Sequence, residues 1–162
     1  MEETRHRASL LLGRGSHILK TIAQTFLHKF AQRFPEQSVL VGTPPDEPLL
    51  IIPAPNAAIG SVRIWVSEDE IEADLEPFGH THIAEYVHNL PAEKLAETLA
   101  ERALCFLDEL FADKILLWRS DNVGGFTPLE HKVPSELTDI PADASVHYWS
   151  KPFACPSGST VD

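Results

Sequence analysis

Ten residues from Ser67 to Glu76 carry six carboxylates: Glu68, Asp69, Glu70, Glu72, Asp74 and Glu76. Just beyond them stand His80, His82, Glu85 and His88. Carboxylates and imidazoles are the side chains that hold divalent metals and move protons. A dense carboxylate run can also attract a basic partner. The sequence therefore offers metal ligation by the histidine group and electrostatic docking by the acidic run.

On a strand, His80 and His82 point to the same side, and Glu85 and His88 follow at helical spacings of three. Imidazole with carboxylate is a good donor set for zinc or iron. No H-E-x-x-H motif accompanies it. A His-x-His pair also occurs in the JAMM-type metalloprotease core, which needs a serine and an aspartate at fixed distances beyond it. Leu90 and Glu93 stand at those places. Surface or structural histidines in a turn region are the simpler explanation of the group. The expectation is no metal and no cofactor, with His80, His82, Glu85 and His88 as the candidate ligands should a metal bind.

Nucleophilic catalysis has less support. No G-x-S-x-G is present, neither Cys105 nor Cys155 lies in a known catalytic signature, and Ser157-Gly158-Ser159 falls in the tail. Gly13-Arg14-Gly15-Ser16 precedes a helix, where anions are attracted. No strand precedes it and no G-K-[ST] follows, so a linker ending in an N-cap is the simpler reading.

The acidic run alternates. Ile71, Ala73 and Leu75 fall on one face, and Glu70, Glu72, Asp74 and Glu76 on the other. Neighbouring like charges weaken a strand pair slightly. A solvated sheet face accounts for this pattern, and a docking face for a basic partner accounts for it more specifically. Trp65 lies on the side of Arg63, where an exposed indole beside charges makes a binding anchor. The expected contact residues are Trp65, Glu68, Asp69, Glu70, Glu72, Asp74, Glu76, His80 and His82.

These residues need elements to hold them. Ser16 is the N-cap of a helix over 16–33, with Ile18, Leu19, Ile22, Ala23, Phe26, Leu27 and Phe30 at steps of three and four. Phe34-Pro35 stops it. Leu49–Ile52 reads as a short edge strand among prolines. Ser61–Val66 and Glu70–Glu76 alternate around a polar turn, which predicts an antiparallel hairpin with one wet face. Pro77–Asn89 is the least regular stretch. Pro91 opens a second helix to about 112, and Lys114–Arg119 is a buried strand. Turns and short strands near 126–129 and 146–149 follow, with a loop over 130–144. The predicted fold class is α+β: two layers, a mainly antiparallel sheet with two helices packed on one face. Residues 1–15 are expected to be a flexible segment, 16–151 a single domain and 152–162 a loose tail.

Composition agrees. The chain has 162 residues, 43% of them hydrophobic and 23% charged, within the range of one globular domain. The net charge is −11, which repels phosphate backbones and argues against nucleic-acid binding. It is unevenly spread, because residues 1–33 hold six bases against Glu2 and Glu3. Two cysteines make no disulfide framework and suit a reducing compartment. No stretch reaches the roughly 18 apolar residues that span a bilayer. A cytoplasmic protein with no membrane partner is the expectation.

From Val62 to His82 the order of features is a strand containing Ile64-Trp65, a turn and strand from Asp69-Glu70-Ile71, then Phe78-Gly79-His80-Thr81-His82. A helix at Ala103–Phe111, a strand entered at Asp113-Lys114-Ile115, a turn at Gly124-Gly125 and a closing Tyr148-Trp149-Ser150 come after. This order resembles small immunity proteins of bacterial polymorphic toxin systems over residues 61–151. Pro152 stands where a glycine would fit that pattern better. The resemblance implies a non-enzymatic inhibitor that binds a cognate, basic toxin through protein–protein contact. Two other readings compete. A type III-like secretion chaperone shares the charge and the early element order, but the sequence has no evident C-terminal helix. A metal-dependent enzyme would use His80, His82, Glu85 and His88.

Overall fold

The computed structural model describes residues 16–85, 90–121, 123–129 and 140–153. Helix α1 spans His17–Arg33. Ser16 Oγ accepts from the Leu19 N–H at 3.2 Å and caps it, a contact worth about 1 kcal/mol. The helix stops at Phe34, before Pro35, as expected. Its buried stripe is Leu19, Ile22, Ala23, Phe26 and Phe30. Helix α2 spans Ala92–Phe111 behind Pro91 and buries Ala96, Leu99, Ala100, Ala103, Leu104, Leu107 and Leu110. The two helices pack together. Across their exposed rim Lys29 reaches Glu97 at 2.8 Å and Glu101 at 2.6 Å, and Arg33 reaches Asp108 at 2.5 Å.

Five strands form the larger sheet: β1 (Leu40–Val41), β2 (Leu50–Pro53), β3 (Ser61–Val66), β4 (Glu70–Leu75) and β5 (Gly79–Ala84). They lie in chain order, each antiparallel to the next. The predicted hairpin is β3–β4, closed by the turn Ser67–Glu70, whose Ser67 N–H donates to Glu70 O at 3.0 Å. Leu50, Ile52, Val62, Ile64, Val66, Ile71, Ala73 and Leu75 are all buried on the inner face, which the helices cover. One correction concerns Pro77–Asn89. Gly79–Ala84 of this stretch is a strand, pairing with β4 along its whole length. Its inner face offers Gly79, Thr81 and Ile83, too little apolar alternation to announce a strand.

A smaller sheet holds β6 (Ile115–Arg119) at its centre, between β7 (Gly124–Pro128) and β8 (Ser145–His147). The architecture is α+β, with the antiparallel strands divided between two sheets. The sheets meet where β7 approaches the turn before β5. A Cβ on Gly124 would lie 2.3 Å from the Phe78 carbonyl oxygen, so only glycine allows this approach. Trp149 is 3% exposed and seals the core against Phe111. Asn56, itself buried, donates its N–H to Trp149 O and its Nδ2 to Tyr148 O. The expected segment 1–15, all of the expected tail 152–162 beyond Phe153, and most of the loop at 130–144 lie outside the described residues.

Candidate functional site

Alternation along β3 and β4 sends every second side chain to the outer face of the larger sheet. Register then sets the neighbours. One row across the sheet reads Leu40, Ile51, Arg63, Asp74 and His80. The next reads Trp65, Glu72 and His82, with Glu70 one step further along β4. None of these side chains is fully buried. Leu40 is 65% exposed and stands on the short edge strand.

The acidic residues divide by partner. Asp74 lies 3.1 Å from the Arg63 guanidinium, and Glu76 bonds the same group. The hydrogen bond that Arg63 donates to Glu76, then the charge of Asp74, raise the Arg63 pKa above its ordinary value. Glu70 and Glu72 turn instead to His82. Its Nδ1 lies 3.1 Å from Glu70 Oε2 and 3.7 Å from Glu72 Oε2. Ligand atoms of Glu70, Glu72 and His82 all fall within 4.8 Å of one another. Glu68 and Asp69 are exposed in the β3–β4 turn, where Asp69 Oδ1 accepts from Ser67 Oγ at 2.9 Å.

The histidine group is therefore only partly assembled. His80 and His82 do share a face, with ring centroids 4.9 Å apart in an edge-to-face contact. Glu85 does not join them, because its carboxylate pairs with Arg102 at 2.9 Å. His88 lies outside the described residues. Glu70 and Glu72 take the place that Glu85 was expected to fill. The signal was present as two i, i+2 pairs, Glu70/Glu72 and His80/His82. Their meeting depends on a strand pairing that linear spacing does not reveal.

Trp65 is half-buried. It walls a hollow of about 400 Å³ lined by Pro45, Trp65, Val66, Ser67, Glu70 and Glu72. Pro45 comes from the loop between β1 and β2, a contribution that sequence reasoning missed. The hollow joins an apolar wall to two carboxylates, a combination that suits an amphipathic cation. Glu70, Glu72 and His82 also fit the donor chemistry of a divalent metal, since two carboxylates and an imidazole are oxygen and nitrogen ligands for zinc or iron.

No family model matches the chain, and neither a curated protein nor a solved structure matches it. No helix among the described residues is long and apolar enough to cross a membrane.

Proposed function

We propose that this protein is a binding module whose outer sheet face docks a basic protein partner, and that the partner is a toxin it neutralises in the cytoplasm. One observation carries the reading. The outer face and its turn hold Glu68, Asp69, Glu70, Glu72, Asp74 and Glu76 against Arg63 and the imidazoles of His80 and His82 among the described residues, while the helices cover the opposite face. Such a face speeds encounter with a positive surface and repels acidic competitors. Leu40, Ile51 and Trp65 supply apolar contact beside the charge, which makes an anchor rather than a merely solvated surface. Where the toxin acts on nucleic acid, the carboxylates compete with phosphates for the same basic groups. The order of sequence features over residues 61–151, which resembles that of small toxin immunity proteins, points to the same reading.

The test is co-purification from the native host with wild type and with E70Q/E72Q/D74N/E76Q. The expected result is a stoichiometric basic protein that is lethal when expressed alone and is bound by wild type but lost by the variant. A partner kept by the folded variant overturns the docking face. A translocated effector that is harmless alone, held by a homodimer of this chain, moves the function to secretion chaperoning.

A further inference from the structure

Glu70 and Glu72 are the outer-face carboxylates of β4 that do not pair with Arg63. Arg63 is engaged by Asp74 and Glu76. Glu70 and Glu72 share His82, which carries at most one positive charge. The pair therefore keeps a net negative charge whatever the protonation of His82. Both also line the open hollow beside Trp65, together with Pro45, Val66 and Ser67. At about 400 Å³ the hollow lies at the small end of ligand pockets, which run from roughly 300 to 1,000 Å³. That is room enough for one long side chain.

We propose that this hollow is a slot for an arginine side chain presented by the partner. The guanidinium lies flat against the Trp65 indole, its N–H fork donates to Glu70 and Glu72, and its methylene stem covers Pro45. Arginine fits better than lysine because a planar cation both stacks on an aromatic face and donates two parallel hydrogen bonds. This assignment rests on the docking reading and gives it one specific anchor.

The experiment is an NMR titration of isotope-labelled protein at low salt with N-acetyl-arginine amide, N-acetyl-lysine amide and N-acetyl-citrulline amide. The Trp65 indole N–H, assigned by its loss in W65F, is the probe. It is distinct from the indole of Trp118, which donates to Thr127 Oγ1 at 3.1 Å. Arginine amide is expected to shift the Trp65 signal saturably, with lysine amide weaker and the uncharged citrulline isostere weaker by about tenfold. E70Q/E72Q should weaken arginine by a similar factor, and E36Q/E93Q, which removes two charges outside the sheet, should not. Equal binding of arginine and citrulline overturns the slot and leaves an apolar groove. A null arginine titration alongside saturable zinc binding that H82A abolishes overturns it in favour of a metal centre at Glu70, Glu72 and His82. Either failure leaves the co-purification result with E70Q/E72Q/D74N/E76Q unaffected, so the loss of the slot and the loss of the docking face are told apart.

Discussion

The two faces of the five-stranded sheet come from the same strands, residue by alternate residue, and they perform opposite tasks. Val62, Ile64, Val66, Ile71, Ala73 and Leu75 face inward and are buried. Arg63, Trp65, Glu70, Glu72 and Asp74 face outward and stay in reach of solvent. The inner side chains gain from removal of apolar area, at about 25 cal/mol per Å². The outer ones gain little from folding, because exposed ion pairs contribute about 1 kcal/mol or less. A rigid inner face thus holds in place an outer face that contributes little to stability. Across the strands the β4 carboxylates Glu72 and Asp74 stand opposite Arg63, Trp65, His80 and His82 rather than one another, so the outer face concentrates negative charge without a directly opposed like-charge pair.

That contrast can be broken at several strengths. Ile71→Ala should cost about 3 kcal/mol, since it opens a cavity in a fully buried site beneath Glu70 and Glu72. Denaturant unfolding measures it, and a loss under 1 kcal/mol would mean that the inner face is not the structural one. Ser16→Ala should cost about 1 kcal/mol by leaving the Leu19 N–H without its cap, seen as a lower denaturation midpoint with unchanged slope. The variant E70Q/E72Q/D74N/E76Q should stay within about 0.5 kcal/mol of wild type. A large destabilisation there would make the outer charges structural.

The smallest effect concerns the helix pair. The hydrogen bond from Lys29, then its charge, hold the Glu101 pKa below the usual carboxylate range. Hydrogen bonds to Glu101 and then Glu97 raise Lys29 above its ordinary value. The depressed Glu101 value means its contribution is present above the unfolded carboxylate pKa and fades as pH falls through the folded one. The raised Lys29 value means its contribution is present below the unfolded lysine pKa and fades as pH rises through the folded one. K29M should therefore lower the melting temperature by only about 1–3 °C near neutrality, and the gap to wild type should close in acid. A gap that persists at pH 2 would assign the loss to packing of the Lys29 stem.

Much of this was legible in the sequence, because local rules and burial agreed. Ser16 and Phe34-Pro35 marked both ends of α1, and strict alternation marked β3 and β4 with their faces assigned correctly. β1 was missed because two residues between turns carry no period. β5 was missed because an edge strand next to few inner contacts tolerates Gly79 and Thr81 where a central strand would need apolar groups. The site suffered from the same gap. Without β5, His82 had no cross-strand neighbour, and Glu85 and His88 looked like its partners by spacing alone. Once β5 is paired, Glu72 lies directly opposite His82 and Glu70 turns toward it. The hollow was illegible because Pro45 reaches Trp65 from a separate loop.

The central claim is that the outer face binds and the inner face folds. The most direct measurement is the affinity of the purified partner for wild type and for E70Q/E72Q/D74N/E76Q across a range of ionic strength. The account predicts tight binding to wild type that weakens steeply as salt shortens the Debye length from about 10 Å at 0.1 M to about 3 Å at 1 M. It predicts weaker and nearly salt-independent binding to the variant. Equal affinity and equal salt dependence for the two proteins would contradict it and place the interface elsewhere on the molecule.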